Sequence, residues 1–192
     1  MTGQGKNAMD SLLADSLKEL VKKHPIEKIT IKEITDKAGV IRPTFYNHFQ
    51  DKYELLEWII ITEVLEPILP LLKNNMVDQA MLLLFSSIER EKSFYTKISH
   101  MEGQNSFSQI FKDGVRRILL QILAESENKS VESKKNQFHC LTPELIADYY
   151  AQSIGFFVIR WIEQNMDITP EELSKVTNFM MQRSLLDYLM AE

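Results

Sequence analysis

Between Thr30 and Gly39 the sequence TIKEITDKAG marks both ends of one short helix. Thr30 with Glu33 three residues on is a capping box: the threonine oxygen takes the Glu33 amide and the glutamate reaches back. Ile31, Ile34 and Ala38 supply an apolar side, and Gly39 stops the helix in the left-handed conformation that glycine adopts at a C′ position. An earlier helix is expected from Asp10 to His24, capped by Asp10 or Ser11, with Leu12, Leu13, Leu17, Leu20 and Val21 on one face and Pro25 ending it. A third short helix is expected from Arg42 to Phe49. Asp51 then caps a long helix running toward Pro67, with Glu54 at N3 completing a second capping box. Three short helices with a tight glycine turn between the second and third make a helix-turn-helix.

The third of these helices divides its side chains by chemistry. Phe45 and Phe49 lie four residues apart, share a face and anchor the helix to the first two, so Arg42, Thr44, Tyr46 and Asn47 fall largely away from that anchor. Charge is also divided. The chain of 192 residues carries a formal charge of −5, but residues 1–53 hold nine Lys and Arg against seven Asp and Glu, a net +2. Residues 54–192 hold thirteen against twenty, a net −7. Local charge decides where a polyanion docks. The expected domains are therefore a basic helix-turn-helix domain, 1–53, and an acidic helical regulatory and dimerisation domain, 54–192.

Past Pro67 the pattern stays helical. The segment PILPLLKNN reads as a bend, and an apolar helix from Asp78 is expected to stop or bend near Ser93. HMEGQNS is an expected loop, followed by an amphipathic helix from Phe107; SENKSVESKKNQFHC is polar and aperiodic, another expected loop. Thr142-Pro143 and Thr169-Pro170 each pair a capping residue with proline at N1, and TPEE is a third capping box. The penultimate helix is apolar on nearly every side, which calls for burial on more than one side. Two readings stand: a single large monomer core, or the pairing of the last two helices with their symmetry mates in a four-helix dimer interface. The interface reading selects Tyr150, Ile154, Gly155, Phe157, Val158, Trp161, Phe179 and Leu186, with Gly155 letting another helix come close. With no strand signal, the fold class is all-α: a helix-turn-helix domain on a helical bundle.

Several classes drop out. The lone Cys140 cannot form an intramolecular disulfide, the N-terminus lacks the apolar core of a signal peptide, and no apolar run is long enough to span a bilayer. A cytoplasmic location without membrane association is expected. His139, Cys140 and His100 lack metal-ligand spacing, and no nucleophile elbow, phosphate loop or HExxH pair is present. Neither metal, cofactor nor enzyme activity is expected.

The stretch TIKEITDKAGVIRPTFYNHFQDKYELL, Thr30 to Leu56, closely resembles the DNA-binding signature of the tetracycline-repressor family. The shared elements are a capped second helix, an A-G-V turn, a T-x-Y-x-H-F-like recognition helix and a K-x-x-L-L entry to the fourth. The resemblance implies that Arg42, Pro43 and Thr44 face base edges, while Tyr46, His48, Lys52 and Thr30 contact phosphates. Asn47 is left between base and phosphate. These roles suit the chemistry: Arg grips guanine O6 and N7, and a proline or threonine methyl meets a thymine methyl. The bland alternatives are a structural hydrogen bond for His48, a solvated charge for Lys52 and a core ring for Tyr46. The sequence departs from the family where a Ser or other capping residue is usual and this chain has Ile41, which cannot cap.

The C-terminal stretch from Tyr149 to Val176 resembles, more weakly, a branch of that family that includes activators of dihydroxyacetone kinase operons. In such an activator the signal arrives through a kinase-like protein partner rather than a ligand bound directly. The resemblance thus implies a homodimeric regulator, most simply a repressor, on a double-stranded, palindromic DNA operator. Its effector is a small molecule or, alternatively, a partner protein that makes the chain an activator. Phe94, Met101, Phe107, Phe111, Tyr149 and Trp161 are the candidates to line an effector pocket; the competing reading makes them ordinary core.

Overall fold

The computed structural model describes residues 3–103, 105–127 and 140–182, and among them the regular elements are all helical. Most of the polar stretch from Ser126 to Cys140 and all of Leu186 lie outside the described residues.

Helix α1 spans Gly3–Val21, starting a full two turns before the expected cap. Asp10 therefore sits inside the helix and is buried. Leu13, Ala14, Leu17 and Val21 are its buried stripe. A 3-10 turn at Ile26–Lys28 follows, then α2, Ile31–Ala38. Here the capping box forms as expected: the Glu33 amide donates to Thr30 Oγ1 at 3.2 Å, and the Thr30 amide donates to Glu33 Oε2 at 2.7 Å. Gly39 holds φ 70°, ψ 29° and turns the chain into α3, Arg42–Tyr46. That helix is shorter than expected, although the Phe49 amide still reaches the Phe45 carbonyl at 2.9 Å.

Helix α4, Lys52–Ile60, is capped by Asp51, whose Oδ1 accepts from the Tyr53 and Glu54 amides. Glu54 reaches back to the Gln50 amide, one residue before the cap. The expected single long helix is interrupted: Ile61–Leu65 winds as a π-helix and Glu66–Ile68 as a 3-10 turn. Close packing accompanies the widened turn. A Cβ added at Gly114 would stand 2.7 Å from Leu65 Cδ1, so this glycine lets the helix that carries it lie close against the turn. Single π-turns inside α-helices recur at functional sites.

The remaining helices are α5 (Leu69–Lys73), α6 (Val77–Arg90), α7 (Lys92–Ile98), α8 (Phe107–Glu127), α9 (Pro143–Glu163) and α10 (Pro170–Gln182). The bend expected near Ser93 falls at Glu91, where φ −111°, ψ 34° breaks α6 from α7. Thr142 caps α9 by accepting the Leu145 amide, and Thr169 Oγ1 accepts the Glu172 amide at the start of α10. α9 packs along α8, and α10 along α6.

One continuous apolar core runs from Leu13 in the head to Leu173 in α10. Head and bundle are joined by charge as well. Lys18, buried on α1, reaches Glu63 in the π-turn at 2.9 Å, Asp15 at 3.2 Å and Glu91 at the α6–α7 break at 3.8 Å. Burial alone would lower its ammonium; the Glu63 and Asp15 carboxylates outweigh that and hold it above the usual lysine range.

Candidate nucleic-acid interface and apolar chamber

The division of side chains on α3 follows from two buried rings. Phe45 is fully buried, Phe49 nearly so, and their centroids lie 6.0 Å apart, with Trp58 of α4 edge-on to Phe49. With that side fixed, Arg42, Pro43, Tyr46 and Asn47 are exposed and Thr44 is half-buried. Tyr46 keeps 52% of its surface while its ring edge rests on Phe45. Ile41, at the N-cap of α3, makes no capping bond and is 69% exposed.

Two of the residues expected at phosphates are held by the protein itself. His48 turns inward, and its Nδ1 lies 2.6 Å from Asp10 Oδ1, with both side chains largely covered. This pair links α1 to the end of the recognition helix. It gives Asp10 the partner that a buried carboxylate requires. Lys52 donates to the Glu27 carbonyl at 2.9 Å and to the Ile29 carbonyl at 2.8 Å, closing the 3-10 turn against α4. Partial burial lowers its ammonium. Thr30 is exposed, but its hydroxyl and amide both serve Glu33, whose carboxyl that amide and hydroxyl hold below the usual range.

The expected effector residues do not come together around a space. Phe94, Phe107 and Phe111, with Tyr95, form a chain of edge-on and tilted rings inside the core, and Met101 is buried nearby in sequence. Trp161 packs edge-on against Phe85, and its indole N–H donates to the Ile168 carbonyl at 2.7 Å. Tyr149 is 66% exposed on the outer surface. Among the described residues these buried rings fill one another's space.

A chamber lies elsewhere, with a volume of about 200 Å³. Leu65 and Ile68 line it from the π- and 3-10 turns after α4, Met81 and Leu84 from α6, Val115 and Ile118 from α8, and Ile154 from α9. Its walls are aliphatic residues drawn from stretches far apart in sequence, and no single helix pattern identifies them.

The interface expectation needs correction in part. Ile154, Gly155, Val158 and Trp161 are buried inside the protomer. Gly155 does admit a close neighbour, but it is the chain's own α8: a Cβ there would stand 2.6 Å from Lys112 Cγ. Phe157 is half-buried, while Tyr150 and Phe179 are exposed. The outer face of α9 and α10 is completed by residues outside that selection: Leu145, Tyr149, Phe156 (64% exposed), Val176 and Met180. Several of them line one shallow groove with Asp148 and Gln152.

Comparison with known proteins places this arrangement. Residues 13–59 match the pattern described as "Bacterial regulatory proteins, tetR family", and residues 75–183 match "Transcriptional regulator C-terminal region". The HTH-type dhaKLM operon transcriptional activator DhaS of Lactococcus lactis is 28% identical over 124 residues, which are 62% of this chain and 63% of that protein. The chain spans less than two thirds of the length of the curated relatives it matches. The solved structure of a dihydroxyacetone kinase operon activator DhaS superposes with a TM-score of 0.55 at 24% identity, covering 91% of this chain and 92% of that one. NalD, the secondary repressor of the MexAB-OprM multidrug efflux pump in Pseudomonas aeruginosa, superposes with a TM-score of 0.60 at 16% identity, covering 92% and 95%. These likenesses establish the shared fold. Among the described residues no helix is long and apolar enough to cross a membrane.

Proposed function

The chain belongs to the tetR family of bacterial regulatory proteins, and on that premise we propose that it acts as a homodimeric, sequence-specific DNA-binding repressor controlled through its C-terminal domain. The observation that carries this reading is the outward set on α3. Arg42, Pro43, Thr44 and Asn47 stand on a helix locked from behind by Phe45 and Phe49, in a head of net positive charge. Arg42 takes a base edge, Pro43 and the Thr44 methyl meet thymine methyls, and Tyr46 and Thr30 reach phosphates. His48 and Lys52 position α3 and α4 through Asp10 and the Glu27 and Ile29 carbonyls.

The head comprises residues 1–53 and the regulatory and dimerisation part 54–192, with α4 running across the division. The exposed apolar face of α9 and α10 supports dimerisation, because contiguous exposed apolar surface marks an interaction site. Two recognition helices set about 34 Å apart by the dimer fit successive major grooves of a palindromic operator. An effector that favours another spacing is bound at the expense of DNA. A coupling of about 1–3 kcal/mol changes operator affinity by roughly 5–150-fold. A second reading, favoured by the 28% identity to a protein named as an activator, keeps the same machine with a partner protein stabilising the DNA-binding spacing.

Retardation of DNA flanking the chain's own gene, against a random duplex, tests the reading. Preferential retardation is expected, lost with rising salt as phosphate contacts give way to counterions. Arg42→Ala should relax preference at one base position by about 1–3 kcal/mol. Equal losses on every sequence would exclude base reading by Arg42. A chain that retards no flanking DNA would remove the proposal.

A further inference from the structure

The chamber beneath the π-turn has a lining chemistry that selects its occupant. Its walls carry hydrocarbon and thioether groups, and among the described residues no Asp, Glu, Lys, Arg or His lines it. The only hydroxyl among the lining residues is that of Tyr150, which is also exposed at the protein surface and so stands at the rim. Ion pairs do occur on the surrounding helices, for example Arg117 with Glu57 and Arg116 with Asp148, but those side chains do not line the chamber. An ionised ligand entering would lose its water and find no counter-charge. A neutral hydrocarbon surface would gain by leaving water.

Volume sets the size. Apolar protein cavities of about 150 Å³ stay dry and take up benzene, so about 200 Å³ suits a ligand somewhat larger than one aromatic ring. Position gives the occupant leverage. Leu65 and Ile68 belong to the segment by which the chain passes from the head into the bundle, and Leu65 lies close against Gly114 of α8. Glu63, in the same π-turn, holds Lys18 of the head.

We propose that this chamber is the effector site of the C-terminal domain and that it takes an uncharged, hydrocarbon-rich small molecule. The size is that of a fused bicyclic ring or a chain of about eight to ten carbons with at most one neutral polar end at Tyr150. The proposal rests on the regulatory reading above for its purpose, but its chemistry is tested separately.

The test uses the full chain with four probes of matched size: 1-naphthol, 1-octanol, octanoate and octylammonium. Binding is followed by titration calorimetry and by ligand-observed NMR. The two neutral probes are expected to bind at least about tenfold more tightly than the two ions, which corresponds to about 1.4 kcal/mol. Val115→Phe, which places a ring in the chamber, should abolish uptake. If that variant fails to fold, Val115→Leu, a smaller filling, should still weaken it several-fold. Equal or tighter binding of either ion, no binding of any probe, or uptake unchanged by a folded filling variant would each overturn the proposal. DNA retardation is measured on the same samples. A chain that binds neutral probes but retards no flanking DNA refutes the regulator reading and leaves the ligand class standing; a chain that retards DNA but takes up no neutral probe does the reverse.

Discussion

The head and the outer helices of the bundle both place aromatic residues at helical spacing, yet they use them in opposite ways. In α3 and the turn that ends it, Phe45 and Phe49 face inward because the helix is short, starts just after a fixed glycine turn and places both rings on one side. In α9 the same kind of pattern covers the whole circumference, and nothing local decides which ring turns inward. There Trp161 and Val158 go to the core while Tyr149 and Phe156 remain outside. A short element with defined ends has its orientation dictated locally; a long, all-round apolar helix does not.

The largest test of that contrast removes the anchor of the head. Phe45→Ala should cost about 3–5 kcal/mol, the range for a fully buried ring, and should abolish DNA retardation with it. Denaturant unfolding that shifts by less than about 1 kcal/mol would show that the ring is not the anchor.

Next comes α9, where two substitutions in neighbouring positions should part company. Gly155→Ala puts a Cβ against the Lys112 stem, which must turn aside, while the helix gains up to about 1 kcal/mol in propensity, so the protomer should change by no more than about 1 kcal/mol, with dimerisation unaffected. Phe156→Ser should leave protomer stability nearly unchanged and raise the dimer dissociation constant, read by sedimentation. Should Gly155→Ala prove the one that dissociates the dimer, the assignment of the two faces is inverted.

A middle-sized effect is expected at the buried pair behind the recognition helix. Asp10→Ala strips the partner from His48 and should destabilise by about 1–3 kcal/mol, the cost of an unsatisfied buried polar group. If His48 instead served a phosphate, Asp10→Ala would leave stability intact, and His48→Ala would be the variant that loses DNA affinity.

The smallest effect is the cap of α2. Thr30→Ala should cost about 1 kcal/mol. Because the carboxyl of Glu33 is held below its ordinary range by the Thr30 amide and hydroxyl, its contribution is present above the usual carboxylate range and fades as pH falls through the lowered value. The acid limb of the wild-type stability curve should therefore be steeper than that of a Glu33→Gln variant. Superimposable curves would dismiss the capping carboxylate as a source of stability.

Much of the head was legible because its signals are short-range. The Thr30–Glu33 box, the Gly39 turn, the Asp51 cap and the four-residue spacing of Phe45 and Phe49 all act within one or two helical turns. The misses have one cause. Asp10 looked like a cap until it met His48, thirty-eight residues away, and Lys52 looked free until it met the carbonyls of Glu27 and Ile29. The chamber could not be read at all, since its largely aliphatic walls are ordinary residues until stretches far apart in the chain are brought together.

By itself, then, the sequence determined the helical class, the ends of the head's helices and the outward chemistry of α3, because hydrogen bonds and side-chain directions within a few residues suffice for each. Only the tertiary structure decided which side of α9 is core, which polar groups in the head are already spoken for and where an apolar space remains. Those depend on contacts between distant segments, whose geometry is set by packing the whole core at once.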